Sequence, residues 1–557
     1  AQAVLAQGLK LGAIPNQFSI SPRPMAAYPL RGPLPFGAAP AAVRGRRAPT
    51  LRCSDATVLP TAAVTPAQSA PRRGDAARRG LPVLAVAALV GSGRGRGRRA
   101  TARRAEGGQS GSSPTLVRID GSWRDVSSWA EKHPGGAWLL RACHGRDVTP
   151  LFHAIHWREG SSSAAVLEKL PVSGPPDGAK PYAFKAAADA PPPLAPSGQA
   201  RQSDSAFARD IAAFLAEEFP TPESAKADAF HWSLVGLALA LAGYCWAGWL
   251  HGDLLLAFAV PFAHWLLTGL TFHEAGHGNL SSIPAVNYAM QFTSLPIVYN
   301  PWVFWSSHIF SHHAYTNDEN YDSDVHLWNP IRLCEASPVD GPAKPFLGTQ
   351  GLNQFLLKSA LSTLNTCVLA PGRILFDRQG GVDSVPAGVG KAQLALSLLP
   401  PLLVLVLPVL NFHDEPARMM FLMLWPWLVS GAIWTTVTQV SHIQSECQFP
   451  AQDSVDEGAC WWRRQAETTL EYSQDSVLWT YLTAGLNMQG LHHVTAGQVN
   501  FCHFTRIYPK YAAICAKHGV PVHQREDVFA ATQGLLSFVD RINPTDGERS
   551  PVLADAA

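Results

Sequence analysis

Acidic residues are almost absent from the first 112 positions of this 557-residue chain: Asp55, Asp75 and Glu106 are the only ones. The same stretch is rich in Ala, Arg, Pro and Gly. Such a composition buries too little apolar surface to build a core. Arg-rich, acid-poor leaders are typical of organelle transit peptides, so residues 1–112 are expected to be a disordered, low-complexity leader with a targeting role. Its one apolar run, Leu81 to Val90, is too short to cross a bilayer. Paired cysteines are lacking too. The nine cysteines are scattered and none stands in a CxxC spacing, which excludes a zinc ribbon or disulfide framework and fits thiols kept reduced. Net charge is only +2, so binding to nucleic acid has no electrostatic basis. No internal repeat is apparent.

What the chain does have is apolar sequence in blocks, and histidine beside those blocks. Trp232 to Leu250 and Leu254 to Phe272 are separated only by His251-Gly252-Asp253. Leu394 to Leu410 and Met419 to Val440 form a second such pair. Each pair reads as a transmembrane helical hairpin, because about 20 residues at about 1.5 Å each cross a core of about 30 Å. Four spans over 232–250, 254–272, 394–410 and 419–440 are therefore predicted. Residues 281 to 307 are apolar but broken by Pro284, Asn287, Pro296, Asn300 and Pro301. They are expected to form an interfacial or re-entrant segment.

The histidines fall in three clusters: His273-Glu274-Ala275-Gly276-His277, then His308-Ile309-Phe310-Ser311-His312-His313, then Gln489-Gly490-Leu491-His492-His493. Neutral imidazole is a natural ligand for iron, copper, nickel or zinc. In HxxxH the two rings stand one helical turn apart on one face, where one metal can bridge them. Counting from Leu254, the chain leaves the bilayer near His273; counting from Met419, it leaves just before His442. With no further span, parity puts every cluster, and everything before the first span, on one membrane face. The cations Arg332, Lys344, Lys358, Arg373, Arg378 and Lys391 lie on that side, and the short opposite loops carry only Arg418. This is the positive-inside bias of a cytosolic or equivalent face.

Ahead of the spans, residues 113–173 form a compact unit containing His133-Pro134-Gly135-Gly136, Gly145-Arg146-Asp147-Val148-Thr149, Phe152 and His156. Residues 174–202, with Gly174-Pro175-Pro176 and Pro191-Pro192-Pro193, read as a semi-extended linker. Such a tether keeps the preceding unit at high effective concentration near its target. Phe207, Ile211, Phe214 and Leu215 then recur at helical spacing. That helix lies at the membrane surface or packs on the domain that follows.

These motifs resemble two known families. The unit 113–173 resembles a cytochrome b5 domain, a small α+β haem carrier. The resemblance implies haem b between His133 and His156, with His153 outside the ligand register. Two protein ligands close both axial positions, so the iron only changes valence. The three boxes resemble those of membrane fatty acid desaturases, and Gln489 at the head of the last box is similar to the front-end subgroup, which is typically fused to cytochrome b5. That resemblance implies a desaturase domain over 203–530, a C-terminal tail over 531–557 and a mainly α protein. It implies two non-haem iron ions held by His273, His277, His308, His312, His313, His442, His492 and His493, with Gln489 ligating or supporting its neighbours. Asp322 and Asp324 either orient ligand rings or form a solvated acidic loop, and Glu274 either orients a ring or is exposed. The implied reaction is O2-dependent desaturation of a polyunsaturated fatty acyl chain, carried on lipid or CoA. The implied electron source is NADH through a cytochrome b5 reductase. The implied location is the endoplasmic reticulum by family default, with the plastid as the alternative raised by the leader. A sphingolipid long-chain-base desaturase, an acyl hydroxylase and a membrane-anchored haem electron carrier are the alternatives. The last box departs from the usual Gln-Ile-Glu-His-His at Gly490 and Leu491.

Overall fold

The computed structural model describes residues 114–156, 163–186, 205–326, 332–334, 350–376, 385–447, 460–495 and 497–544. The expected leader, Lys344, Arg378 and much of the expected linker lie outside the described residues.

The first described unit is a three-stranded antiparallel sheet, Leu116–Ile119, Ser122–Asp125 and Val172–Ser173, in that order, with short helices between its second and third strands. Asp120 and Gly121 join the first two strands with φ of 48° and 75°. Positive φ at both positions gives the two-residue turn whose twist matches a tight hairpin. Helix Thr149–Ile155 starts where it does because Asp147 Oδ1 accepts from Thr149 N at 3.1 Å and Thr149 Oγ1 at 2.7 Å. The GxDxT motif is thus a helix start, and it sets the register of Phe152, His153 and His156.

Among the described residues, four helices are long and apolar enough to cross a membrane: Ala229–Leu250, Leu254–Gly276, Lys391–Phe412 and Pro416–Gln439. They match the four predicted blocks, extended by a few polar or capping residues. Asp228 and Asp253 cap the first two, accepting from His231 N and Leu256 N at 2.8 and 2.9 Å. The two hairpin turns meet at one end of the bundle. Gly252 has φ 74°, and a Cβ on it would lie 2.4 Å from Phe412. Arg418 Nε donates to the Gly252 carbonyl at 3.0 Å. The opposite helix ends, at His273 and Gln439, consequently share the other end, where the histidines gather. Residues 281–307 hold only short helical pieces, none long enough to span.

Two expectations are resolved or revised. Helix Ala206–Glu218 buries Phe207, Ile211, Phe214 and Leu215 within the main core and pairs its Asp210 with Lys517 and His518, each at 2.6 Å. It therefore packs on the following domain. The expected boundary of a tail at 530/531 cuts through a helix. Val528–Ile542 is helical, capped by Asp527, and buries Val528, Ala531, Leu535, Phe538, Val539 and Ile542. The apolar period of that segment outweighs the polar sequence after it, so folded structure runs through Ile542.

Candidate metal centre and haem site

His273 lies in the last turn of helix Leu254–Gly276, and His277 caps it. Their ring centres are 4.8 Å apart, as one helical turn demands. The second box behaves differently. Trp305–His312 is a π-helix, with His313 N bonded to the His308 carbonyl at 2.9 Å. Five-residue bonds bring His308 and His313 together edge-to-face, with their Nε2 atoms 3.0 Å apart, while the His308 and His312 rings stack with centres 5.3 Å apart. His312 is turned away, its Nε2 3.2 Å from His442 Nε2. The HxxxH pair of the first box joins a single group, whereas in the second box His308 and His313 join one group and His312 the other. Single-turn π segments recur at functional sites because they re-aim side chains in this way. The third box occupies helix Gln489–Thr495 and is fully buried.

The eight expected ligand histidines come together as two groups. One holds His273, His277, His308, His313 and His492; the other holds His312, His442 and His493. His308 and His312 also come within reach of Asp324. His492 Nε2 stands 3.3 Å from His313 Nε2. Two nitrogens bound to one metal at about 2.1 Å and at right angles stand about 3.0 Å apart. The Nε2 atoms of His273, His277 and His493 are buried and have no hydrogen-bond partner. Orphaned buried imidazole nitrogens are costly; a cation in the first group would satisfy His273 and His277, and one in the second would satisfy His493. The donor set therefore fits a pair of borderline metals such as iron. Gln489 joins the second group, its amide nitrogen 2.8 Å from His442 Nε2 and its carbonyl oxygen buried without a partner.

Buried polar groups aim these rings. Asp322 Oδ2 accepts from His312 Nδ1 at 2.9 Å, and Glu274 Oε1 from His273 Nδ1 at 3.2 Å. Glu274 is buried, so the exposed alternative for it is removed; its other oxygen accepts from Phe501 N at 3.2 Å. Two orienting residues lie outside the three boxes. Gln465 Oε1 lies 2.7 Å from His493 Nδ1, and Asn317, at φ 55°, donates to the His442 carbonyl at 3.0 Å. Only the proximity of Asn317 to the second box hinted at it. Burial, then the neighbouring imidazoles, pushes His277, His308, His313, His492 and His493 well below the usual histidine range. Neutral rings are the ligating form. For His312, burial works against the charge, but Asp322 and Asp324 outweigh it and hold the ring at about 9. His264 is packed inside the bundle against Trp246. His326 stacks on Phe184, and His503 bonds the Lys226 carbonyl.

In the small unit, His133 and His156 face each other across a cavity, with ring centres 6.2 Å apart. Two metal–nitrogen bonds of about 2 Å, plus about 1 Å from each nitrogen to its ring centre, give about 6 Å across one iron. His156 Nδ1 bonds the Phe152 carbonyl at 2.9 Å, which leaves Nε2 with its lone pair. Burial, then His156, pushes His133 down to about 4. His153 instead bonds Asp120 at 2.8 Å, outside this pair. The residues fit a bis-histidine haem.

Residues 245–526 match the family described as fatty acid desaturase, and residues 106–175 match the cytochrome b5-like haem/steroid-binding domain. The chain belongs to the fatty acid desaturase family. It carries the haem-domain fusion and glutamine-led last box of the front-end type, and it is an oxidoreductase. Among its relatives is an acyl-lipid omega-13 desaturase of Chlamydomonas reinhardtii, 28% identical over 440 residues, which span 74% of this chain and 90% of that protein. An acyl-lipid (8-3)-desaturase of Physcomitrium patens is 23% identical over 455 residues, spanning 77% and 88%. A chloroplastic acyl-lipid (7-3)-desaturase of C. reinhardtii is 27% identical over 417 residues, spanning 71% and 74%.

Proposed function

We propose that this desaturase introduces a double bond into a polyunsaturated fatty acyl chain carried on a membrane lipid, using a di-iron centre and electrons from its own haem domain. The observation that carries the reading is the pair of buried imidazole groups with their partnerless Nε2 atoms. Bound there, the metals would supply oxygen activation: with O2, two electrons and two protons, one CH2–CH2 unit becomes CH=CH and two waters form. The chain's part is to hold the eight rings in place, fix them through Asp322, Glu274, Gln465 and Asn317, and exclude bulk water by burial.

The first group would take His273, His277, His308, His313 and His492, the second His312, His442, His493 and Gln489. The haem domain, 113–173, would hold haem b between His133 and His156, and it would be recharged twice per double bond by NADH and a cytochrome b5 reductase. Linker residues 174–202 would tether it to a catalytic domain beginning near 203. The protein would be an integral, multi-pass membrane protein with both sites on the cytosolic or equivalent face. Lipid-linked substrate is favoured over acyl-CoA because three of the relatives described above are named acyl-lipid desaturases. The Arg-rich leader, with one relative named chloroplastic, favours a plastid over the endoplasmic reticulum. The deciding experiment is fatty acid profiling of a host that expresses the protein and is fed candidate acids. A new double bond that disappears with His492→Ala supports the reading; an unchanged profile across all classes, from protein with full metal content, refutes it.

A further inference from the structure

The cavity between His133 and His156 measures about 610 Å³, and its walls do not belong to the haem domain alone. One side is His133, Leu139, Phe152 and His156; the other is His277, Trp305, His313 and Gln498 from the catalytic domain. His277 and His313 are also members of the first imidazole group. A single wall thus separates the two candidate redox sites.

The contact that closes this wall is specific. Trp138, on helix Ala137–Ala142 just after the HPGG turn, sits edge-on to Tyr288 and Trp305, with ring centres 5.2 and 5.0 Å away. Trp305 opens the π-helix that carries His308, His312 and His313. On the other ligand helix, Gln498 Nε2 donates to the Ile155 and Ala154 carbonyls at 2.7 and 3.3 Å, beside His156. Close backbone approach is needed at both points. A Cβ on Gly136 would lie 3.1 Å from Pro284, and one on Gly497 3.1 Å from Ile155.

We propose that this face is the electron-transfer surface of the protein: the catalytic domain completes the haem site, and Trp138 and Gln498 position the haem domain against the metal centre. The proposal rests on the reading of both sites given above. Each productive contact oxidises one ferrous haem to ferric and reduces the metal pair by one electron. Two contacts, with a recharge between them, supply the two electrons of one double bond. Trp138 and Gln498 are positioning residues; the aromatic contact Trp138–Trp305 joins the two ligand-bearing segments directly.

The test uses the full chain in membranes. Cysteines at Ile155→Cys and Gln498→Cys, treated with a short bismaleimide, are expected to join the two domains. The join is read as fragments that stay together after cleavage at a protease site engineered into 187–204. No cross-link above the wild-type background would overturn the proposal. In the second arm, ferrous haem is mixed with oxygen and acyl substrate, and its reoxidation is followed per haem. Trp138→Ala and Gln498→Ala should slow it by about tenfold or more, as misplacement of reacting partners does, and Trp138→Phe should largely restore it. The bis-histidine spectrum and reduction of haem by the reductase serve as the structural control in each variant. Because Gln498 lies outside the haem domain, its variant reads the surface even where Trp138→Ala loses haem. Wild-type reoxidation rates in Gln498→Ala and Trp138→Ala would overturn the proposal. Wild-type haem that shows no substrate-dependent reoxidation would instead sink the electron-donor reading, while the cross-link still reports on the surface.

Discussion

Asp322 accepts a hydrogen bond from His312 Nδ1 at 2.9 Å, and both side chains are buried. The same carboxylate accepts from Asn317 N at 2.7 Å and Asp324 N at 2.8 Å, so it is fixed before it fixes the ring. That leaves His312 Nε2 aimed at His442. Asp322→Asn keeps the shape and removes the charge. Supporting partners of this kind are worth about 10–100-fold in metal affinity or activity. The expected result is a loss of that order in turnover with haem content unchanged, measured on purified protein with iron per haem beside it. Unaltered iron and turnover would make Asp322 a loop-capping residue only.

In the haem domain, His156→Ala is expected to abolish the bis-histidine spectrum and His153→Ala to spare it. His156 faces His133 at a separation that suits one iron, whereas His153 is tied to Asp120 at 2.8 Å. The ferrous absorption spectrum of each variant checks the assignment, and normal haem in His156→Ala would reverse it.

Spans and boxes were legible because hydropathy and histidine spacing are one-dimensional properties. The division of labour within the second box was not. Its spacing fits an α-helical face as well as a π-helix, and only the backbone bond from His313 to His308 distinguishes them. Gln465 was invisible for another reason: it lies in a seven-residue helix, Trp461–Glu467, with no motif around it, and reaches His493 through the tertiary fold. The helix Val528–Ile542 was cut short because family resemblance fades before its apolar period does.

Gly490 accounts for one departure from the usual last box. A Cβ on it would lie 2.7 Å from Tyr511 Oη, 2.9 Å from Glu471 Oε1 and 3.0 Å from Thr469 Oγ1, all on buried side chains. The space that a larger residue would fill is taken by Tyr511 and Glu471. Gly490→Ala should cost about 1–3 kcal/mol through overpacking and lower metal content. The combination with Tyr511→Phe, which removes the nearest atom, should recover part of the loss. Thermal unfolding and iron content of the single and double variants measure this; a double variant no better than Gly490→Ala would refute the contact.

Glu471 itself gives a pH prediction. Burial pushes its carboxyl from 4.5 up to about 8, with Tyr508 and the amides of Leu491 and Gly490 pulling the other way. Between those values the folded protein holds a proton that the unfolded chain has released. Stability therefore falls as pH rises through that window. Glu471→Gln keeps a neutral side chain of similar shape, so the wild-type unfolding midpoint should drop further between pH 6 and pH 8.5 than the variant's, by a few degrees. Parallel pH dependence in the two proteins would show that Glu471 does not carry the buried proton.

His442 stands outside the three boxes, three residues after helix Pro416–Gln439 ends. It is buried, its Nε2 is 3.2 Å from His312 and 2.8 Å from the Gln489 amide, and its ring centre is 4.8 Å from that of His493. An interfacial anchor would present its ring to lipid headgroups and would not need three polar neighbours of this kind. If His442 is a ligand, His442→Ala should lose the metal of the second group, since only His312 and His493 would remain there with Gln489. Desaturation should fall to background, while the protein still inserts and its haem is still reduced by NADH and reductase. Asn317 donates to the His442 carbonyl at 3.0 Å through the backbone, so the substitution leaves that support in place and the loss can be assigned to the ring. Iron per haem, measured with turnover on the same preparation, decides the matter. Wild-type iron with near-normal product would remove His442 from the site and leave the three boxes to hold the metals alone.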